Sequence, residues 1–260
     1  MRHLAGRTAL VTGASSGLGP VIVRRLAREG MRFVLSARRI PQLEALAAEV
    51  GGAHVVAADL TRQGEAERLA VEAGGIDVLI ANAGLPANGQ LLELEVEHID
   101  RALAVNLRSV IVLTRLVLPS MLERRSGHAV LMGSLAGRIP TAGSSLYNAT
   151  KFAVRGFGHA LRSELRGTGV GVSLISPTLI DDVGMWAETE QRAPIRTTSP
   201  DSVAEACVRA IRRDIAEVTV APLEQRIGSR LLVAFPELLQ PFRKAAAIPP
   251  AAIERQVPKR

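Results

Sequence analysis

The chain of 260 residues contains a single cysteine, Cys207. One thiol cannot form an internal disulfide, and so little cysteine is typical of proteins from reducing compartments. We therefore expect a cytoplasmic protein in which Cys207 is buried and unreactive. The sequence also lacks a charged and apolar leader with a small-residue cleavage site, and no apolar run approaches the ~20 residues that cross a bilayer. These absences predict a soluble protein without a secretory signal.

Aromatic side chains are scarce, with five phenylalanines, one tyrosine and one tryptophan against a net charge of +7. The basic residues, nearly all arginines, form no continuous run, and few rings are present on which nucleobases could stack. We therefore predict no nucleic-acid partner. A solvated basic face explains the charge best, with an anionic substrate or a membrane surface as the alternatives.

Histidines are few and scattered along the chain. Their spacing is not that of a metal site, so we predict no metal. The five are His3, His54, His98, His128 and His159.

Short, continuous apolar runs alternate with longer stretches in which apolar residues recur at helical spacing. Runs without polar alternation are typical of strands that helices cover on both faces. The pattern predicts an α/β fold of the Rossmann type, a doubly wound parallel sheet with helices on both faces in a single domain. The predicted strands are Thr8–Val11, Arg32–Ser36, Val55–Ala58, Val78–Ala81, Ala129–Met132, Val170–Ile175 and Val218–Val220.

The end of the chain is patterned differently from its body. We expect residues 1–222 to form the main body and residues 223–260 a helical extension of the same domain, with short helices around Pro236 and Pro241. The interval from Asp181 to Thr198 lacks periodicity and is long for a connection, which is typical of a functional lid.

A glycine-rich segment, Thr12-Gly13-Ala14-Ser15-Ser16-Gly17-Leu18-Gly19, lies between the first strand and the first helix. Glycine permits a tight turn and a close backbone approach, and the N–H groups of the following helix N-terminus suit a pyrophosphate. By itself such a segment is also compatible with a plain structural turn. Its place after a strand and before a helix favours dinucleotide binding.

The second strand ends at Ser36-Ala37-Arg38-Arg39. Folds that bind NAD usually have an acidic residue here for the ribose 2′-hydroxyl, whereas arginine suits the 2′-phosphate of NADP. Arg38 and Arg39 therefore favour NADP over NAD. The alternative is that both arginines only solvate a surface turn.

Tyr147 and Lys151 are four residues apart at the start of a long helical pattern, so they share one helical face. A phenol has a pKa of about 10, which makes it a poor proton carrier at neutral pH. A nearby ammonium favours the phenolate, so we expect Lys151 to lower the pKa of Tyr147.

These motifs stand in an order that resembles the short-chain dehydrogenase/reductase family, from about Arg7 to Pro222. The glycine-rich turn is followed by Asp59-Leu60, by Asn82-Ala83-Gly84 and by Asn106. Ser134 then precedes Tyr147 by the thirteen positions that the family shows. The resemblance implies an oxidoreductase that transfers a hydride between a nicotinamide cofactor and a carbonyl or alcohol substrate.

The resemblance also implies catalytic roles for four residues. Tyr147 would be the general acid in reduction and the base in oxidation, and Ser134 would hydrogen-bond the substrate oxygen. Lys151 would hold the cofactor ribose, and Asn106 would place a water in a proton relay to Lys151. Ser144 and Ser145 lie nearer to Tyr147 in sequence, but we favour Ser134.

For the cofactor, the resemblance implies contacts with the turn, with the ends of the following strands and with the catalytic helix. Asn82 has an alternative role in steadying the central sheet, and Asp59 has one as a strand-end cap. The residues are Gly13, Ser15, Ser16, Gly17, Leu18, Gly19, Arg38, Arg39, Asp59, Leu60, Asn82, Ala83, Gly84, Tyr147, Lys151, Pro177 and Ile180.

The sequence departs from the family after the sixth strand. The usual Pro-Gly-x-Ile/Val-x-Thr is replaced by Pro177-Thr178-Leu179-Ile180-Asp181-Asp182. A carboxylate beside a pyrophosphate is unfavourable, so we expect Asp182 to turn outward or to meet an arginine.

Apolar residues in the lid and the C-terminal extension favour an apolar carbonyl substrate of medium to large size. Packing of the extension on the domain or on a second subunit is the alternative, as is contact with a membrane surface through the neighbouring arginines. The residues are Met185, Trp186, Ile195, Leu231, Phe235, Leu239 and Phe242.

Two other functions remain open, an NAD-dependent alcohol dehydrogenase and a non-catalytic sensor or scaffold that binds the cofactor. A sensor needs no proton relay, so the joint presence of Asn106, Ser134, Tyr147 and Lys151 argues against it. The resemblance further implies a homodimer or homotetramer formed through the helices that carry Asn106 and Tyr147.

Overall fold

The structure is a computed structural model that describes Met1, residues 3–181 and residues 196–234. These residues form one parallel seven-stranded sheet covered by helices. The strands are β1 (Thr8–Thr12), β2 (Arg32–Ala37), β3 (His54–Ala57), β4 (Val78–Ala81), β5 (Gly127–Met132), β6 (Val170–Pro177) and β7 (Glu217–Val220). The helices are α1 (Leu18–Ala27), α2 (Ile40–Glu49), α3 (Glu65–Ala73), α4 (Val96–Leu103), α5 (Ser109–Glu123), α6 (Ser145–Glu164), α7 (Pro200–Arg213) and α8 (Leu223–Ala234).

The strand order is β3-β2-β1-β4-β5-β6-β7, with every neighbouring pair parallel. The chain therefore winds outward from β1 in one direction and from β4 in the other. A cleft opens beyond the carboxyl ends of the strands where the winding reverses, and ligands bind there in open α/β sheets. The predicted doubly wound Rossmann-type sheet is confirmed, and each predicted strand is present.

Alternate residues of each strand serve two cores, one on each face of the sheet. In β1, Ala9 and Val11 belong to the core under α1, α2 and α7, whereas Leu10 belongs to the core under α3, α5 and α6. All three residues are fully buried. This two-sided burial explains why the strands read as continuous apolar runs.

Helices α4 and α5 are joined through a π-helical turn, Ala104–Arg108, into one helix of 28 residues, Val96–Glu123. By length and composition alone it is long and apolar enough to span a membrane, a test that core helices also pass. Arginines interrupt its apolar residues, which is why the sequence shows no continuous run. Leu113, Val117 and Met121 are buried in the core, as in a core helix of a soluble fold.

The structure describes the residues on either side of the predicted lid, up to Asp181 and from Arg196 to Ala234. Ile180 and Thr198 form an isolated parallel bridge, and Asp181 accepts a hydrogen bond from the Thr197 hydroxyl at 2.5 Å. The predicted helices around Pro236 and Pro241 lie outside the described residues. Of the C-terminal extension, α8 is described, and its Leu223, Ile227 and Leu231 are exposed.

Candidate active site

The glycine-rich turn has a backbone that larger residues cannot adopt. Gly13 and Gly17 have φ angles of +67° and +60°, in the region that favours glycine. A Cβ on Gly19 would lie 2.2 Å from the carbonyl oxygen of Gly13, so the turn folds back on the first residues of α1. Gly17 precedes α1, which begins at Leu18, and its cap has no side-chain hydrogen bond. The Gly19 N–H donates to the Ser16 carbonyl at 3.2 Å within the turn. The positive end of the helix dipole lies at this turn and favours an anionic group such as a pyrophosphate.

A cleft runs from this turn along the ends of β2, β3 and β4. Six residues that sequence reasoning missed line it, namely Ser36, Ala37, Ala58, Thr61, Leu85 and Val105. Nine of the predicted cofactor residues line it, namely Gly13, Ser15, Ser16, Arg38, Arg39, Asp59, Leu60, Ala83 and Gly84.

Asn82 supports the turn instead of lining this cleft. Its side-chain amide donates to the carbonyl of Thr12 at 3.0 Å and to that of Gly13 at 3.4 Å. The Thr12 hydroxyl in turn accepts from the backbone N–H groups of Asn82 and Ala83, each at 3.1 Å. This geometry supports the alternative in which Asn82 steadies the central sheet.

Asp59 both lines the cleft and caps the end of β3. Its carboxylate accepts hydrogen bonds from the backbone N–H and the hydroxyl of Thr61, at 3.1 and 2.8 Å. Asp59 therefore lines the cleft and also serves as a strand-end cap.

Tyr147 and Lys151 lie on successive turns of α6, as their spacing predicts. The Lys151 ammonium is 5.6 Å from the centre of the Tyr147 ring and donates to the carbonyl of Met132 at 2.9 Å. Ser134 follows β5, and its hydroxyl hydrogen-bonds with Tyr147. The carboxyl end of β5 and the first turns of α6 thus bring Ser134, Tyr147 and Lys151 together. Ser144 is the N-cap residue of α6, and Ser145 is its first residue.

Burial governs the protonation of both residues on α6. It raises the pKa of Tyr147 to about 12, against a smaller lowering by the hydrogen bond with Ser134. Burial also lowers the pKa of Lys151 to about 8. The expectation that the pKa of Tyr147 lies below its ordinary value is wrong, because desolvation disfavours the charged phenolate. At neutral pH the phenol keeps its proton.

Asn148 was missed by sequence reasoning, although it follows Tyr147 directly. Its side-chain amide donates to the carbonyls of Ala136 and Ile139, at 2.7 and 3.0 Å, and its oxygen accepts from the Thr141 backbone at 3.0 Å. Asn148 is buried. Asn148 therefore links the segment after Ser134 to α6. Its position directly after Tyr147 was the one feature of the sequence that could have indicated this role.

A family model for short chain dehydrogenases matches residues 7–194 of this chain. The chain belongs to the short-chain dehydrogenase/reductase family. It is 39% identical to the ketoacyl reductase HetN of Nostoc sp. over 230 residues, covering 85% of this chain and 80% of that protein. An uncharacterized short-chain type dehydrogenase/reductase of Sinorhizobium fredii is 42% identical over 173 residues, covering 66% of this chain and 69% of its own length.

Solved structures of the family share the fold. A short-chain dehydrogenase from Sphingobium yanoikuyae, in complex with NADPH, superposes with a TM-score of 0.79 at 29% identity over 90% of this chain and 95% of its own. A metagenomic short-chain oxidoreductase in complex with NADP has a TM-score of 0.73 at 31% identity, over 85% and 98% of the two chains. The chain is therefore a nicotinamide-dependent oxidoreductase of the short-chain dehydrogenase/reductase type.

Asn106, which follows the family's order of motifs, lies in the π-helical turn between α4 and α5. Its side chain donates to the Leu85 carbonyl at 2.9 Å and accepts from the Leu85 N–H at 2.7 Å. Both ends of the amide are thus used to hold the chain after Asn82-Ala83-Gly84.

The departure from the family after β6 has a structural explanation at Thr178. Its hydroxyl donates to the Gln225 side chain on α8 at 2.5 Å, and its N–H donates to the Val220 carbonyl at 3.0 Å. The Thr178 side chain therefore points to α8. Pro177 ends β6 and Ile180 forms the bridge with Thr198, while Asp182 lies outside the described residues.

Among residues 1, 3–181 and 196–234, no group of three His, Cys, Asp or Glu side chains is arranged to hold a metal. Cys207 is fully buried in α7, and burial raises the pKa of its thiol to about 12. His128 is also buried and contacts the Ser173 hydroxyl at 2.8 Å. These groups belong to the core.

Proposed function

We propose that this protein is an NADP(H)-dependent oxidoreductase that interconverts a carbonyl compound and the corresponding alcohol. The observation that carries the proposal is that Ser134, Tyr147 and Lys151 lie together after the carboxyl end of β5. The glycine-rich turn follows β1 at the same edge of the parallel sheet. A hydroxyl pair next to a buried ammonium is suited to proton transfer at an oxygen atom.

The glycine-rich turn fits the pyrophosphate of a dinucleotide. A Cβ on Gly13 would lie 2.9 Å from the Ala83 Cα, and one on Gly19 would meet the Gly13 carbonyl, so the turn is closed to any other residue. Ser15 and Ser16 at the mouth of the cleft would add hydroxyl donors. When bound, the nicotinamide would supply or accept the hydride.

The three catalytic side chains would move and hold a proton at the substrate oxygen. Tyr147 is protonated at neutral pH, because its pKa is about 12, so its hydroxyl could donate to a carbonyl oxygen as this becomes an alcohol. Ser134 would hydrogen-bond the same oxygen, and such a donor stabilises the charge that develops there. Lys151 would hold the ribose hydroxyls and keep positive charge near the phenol.

Arg38 and Arg39 support NADP in preference to NAD. Both are exposed at the mouth of the cleft directly after β2, where an acidic residue would serve the ribose of NAD. Asp59, a carboxylate that lines the same cleft, already accepts two hydrogen bonds from Thr61. The NADP and NADPH in the two related structures favour the same choice.

Replacement of Arg38 by aspartate should therefore raise the dissociation constant of NADPH about tenfold to hundredfold. A charge-assisted hydrogen bond contributes roughly 1.5–3 kcal/mol, and each 1.4 kcal/mol corresponds to about tenfold. The constants for NADPH and NADH are measured in parallel by quenching of protein fluorescence.

Arg28→Asp is the matched control, since Arg28 is exposed beyond α1 and the change in net charge is the same. It should leave both constants within about twofold of wild type, because long-range charge is screened. An Arg38→Asp variant that binds NADPH as tightly as wild type would contradict the assignment to the 2′-phosphate.

The substrate we propose is an apolar carbonyl compound of medium to large size. Most of the apolar residues on which this depends, Met185, Trp186, Ile195, Phe235, Leu239 and Phe242, lie outside the described residues, and Leu231 is exposed on α8. The name of the Nostoc relative adds β-ketoacyl thioesters to the compounds worth testing.

The experiment that tests the proposed function is a cofactor titration followed by turnover with a panel of ketones, aldehydes and β-ketoacyl thioesters. We expect tight NADPH binding and oxidation of NADPH with at least one carbonyl. Preference for NAD+ and NADH over NADP+ and NADPH, with oxidation of an alcohol and reduction of NAD+ to NADH, would favour the NAD-dependent alcohol dehydrogenase. Cofactor binding without turnover of any carbonyl or alcohol would favour the sensor or scaffold.

Assembly as a homodimer or homotetramer is also part of the proposal. Partly exposed apolar side chains on α4, α5 and α6, namely Leu103, Leu116, Leu122 and Phe152, offer a surface for a second subunit. Analytical ultracentrifugation would measure the number of subunits, and a monomer at micromolar concentration would contradict this part.

A further inference from the structure

A buried carboxylate, Glu217 on β7, lies under the catalytic helix and is not explained by the proposed function. Its side chain is 6% exposed. It accepts a hydrogen bond from the Ser176 hydroxyl at 2.8 Å, and it pairs with Arg138 at 2.6 Å and with Arg155 at 3.2 Å. The His159 ring lies 3.0 Å from the same carboxylate.

These four partners come from three segments that build the active site. Arg138 ends the 3-10 turn Leu135–Gly137, which begins directly after Ser134. Arg155 and His159 follow Lys151 on the same face of α6, at intervals of four residues. Ser176 is the penultimate residue of β6.

The buried charges of Glu217 and Arg138 make it costly to separate the two side chains. Burial by itself raises the pKa of Glu217, but the hydrogen bonds from Arg138, His159 and Ser176 outweigh it and lower the pKa to about 2. Glu217 is therefore ionised at neutral pH, and Arg138 is also largely buried. Removing one member of a buried ion pair leaves an uncompensated charge, which is strongly unfavourable.

The turn that ends at Arg138 is packed tightly against the catalytic lysine. A Cβ on Gly137 would lie 2.7 Å from the carbonyl oxygen of Lys151. The N-terminal end of the same turn is capped by Ser134, whose hydroxyl accepts from the Ala136 N–H at 3.1 Å. A shift of the turn at Arg138 would therefore displace the Ser134 side chain.

We propose that Glu217 is a positioning residue, which holds the turn after Ser134 against α6 so that Ser134, Tyr147 and Lys151 keep their mutual spacing. Its bonded partners are Arg138, Arg155, His159 and Ser176, so it acts through them and not on the substrate. This inference rests on the proposed function, in which those three side chains carry the chemistry.

The test is Glu217→Gln, which keeps the shape of the side chain and removes its charge. We expect kcat to fall about tenfold or more, since small misplacements of reacting groups lower rates strongly. The dissociation constant of NADPH should change less than kcat, because the glycine-rich turn, which would bind the pyrophosphate, lies on the other side of the sheet centre from β7. Turnover is measured well below the melting temperature of the variant.

A second measurement does not depend on turnover. Tyr147 is the only tyrosine of the chain, so ultraviolet absorbance of tyrosinate reports its ionisation directly. The hydrogen bond with Ser134 lowers the pKa of Tyr147. Loosening of Ser134 should therefore move the appearance of tyrosinate to higher pH in Glu217→Gln, with NADP+ bound in both proteins.

Glu29→Gln is the matched control. Glu29 is a largely buried carboxylate that pairs with Arg25 and Arg212, between α1 and α7 and remote from Tyr147. The Glu29→Gln variant should have a lower melting temperature than wild type, with unchanged kcat and an unchanged Tyr147 titration. Should Glu217→Gln fail to fold, Arg138→Gln is the alternative variant. It removes the ion pair between Arg138 and Glu217, whereas Arg155, His159 and Ser176 still bond to the Glu217 carboxylate.

Wild-type kcat and an unchanged tyrosine titration in the Glu217 variant would overturn the inference, as would an equal loss of kcat in Glu29→Gln. If wild-type protein turns over no carbonyl or alcohol, the proposed function fails, and the tyrosine titration by itself decides the role of Glu217. A shifted titration would then support the positioning role, and an unshifted one would refute it.

Discussion

Tyr147→Phe should lower turnover by at least about a hundredfold, and by up to about ten-thousandfold, while NADPH binds as in wild type. General acid catalysis by a positioned side chain contributes roughly this range. Phenylalanine keeps the ring beside Lys151 but removes the hydroxyl that donates the proton and that bonds with Ser134. The cofactor cleft is lined by other residues, so its dissociation constant should change less than about twofold.

The rate of NADPH oxidation with the best carbonyl substrate measures this prediction. Ser145→Ala is the control, because Ser145 is exposed at the start of α6 and also loses one hydroxyl close to Tyr147. Its turnover should stay within about twofold of wild type. Turnover of Tyr147→Phe within tenfold of wild type would remove Tyr147 from the role of proton donor.

Gly19→Ala should abolish measurable NADPH binding and lower the melting temperature. The added Cβ would lie 2.2 Å from the Gly13 carbonyl oxygen and 2.7 Å from the Ala14 Cα, and both are backbone atoms that cannot rotate away. Overpacking of this kind costs roughly 1–3 kcal/mol or more. The turn has to open to relieve the contact, and the N–H groups that would bind the pyrophosphate move with it.

The NADPH dissociation constant and the thermal midpoint are the two measurements. Gly156→Ala is the matched control, since Gly156 lies within α6 and its added Cβ would meet nothing within 4 Å. Alanine in a helix is more favourable than glycine by up to about 1 kcal/mol, so this variant should be as stable as wild type or more so. NADPH binding by Gly19→Ala at wild-type strength would show that the turn is not the pyrophosphate site.

Local pattern was sufficient to predict the elements of the fold. Strands such as Val78–Ala81 consist only of apolar residues because both faces of a doubly wound sheet are covered, and this composition is visible in the chain itself. The glycine-rich turn is equally local, since Gly13, Gly17 and Gly19 lie within seven residues. The spacing of Tyr147 and Lys151 likewise predicts their common helical face.

The assembly of the site depends on contacts between distant parts of the chain. Glu217 is separated by about sixty to eighty residues from Arg138, Arg155 and His159, and no short-range pattern relates them. Asn106 illustrates the same limit, because its side chain bonds to Leu85, 21 residues earlier. The helix Val96–Glu123 is apolar enough for a membrane, and only its packing on the sheet identifies it as a core helix.

The sequence by itself determined the parallel α/β fold, the dinucleotide turn and the family, because each depends on residues that are close in the chain or ordered along it. The tertiary structure alone decided the protonation of the site. Burial keeps the proton on Tyr147, with a pKa of about 12, and lowers the pKa of Lys151 to about 8, although sequence reasoning predicted a lowered pKa for the tyrosine. The reason is that desolvation depends on how many atoms surround a group in space, and the order of residues along the chain does not contain that quantity.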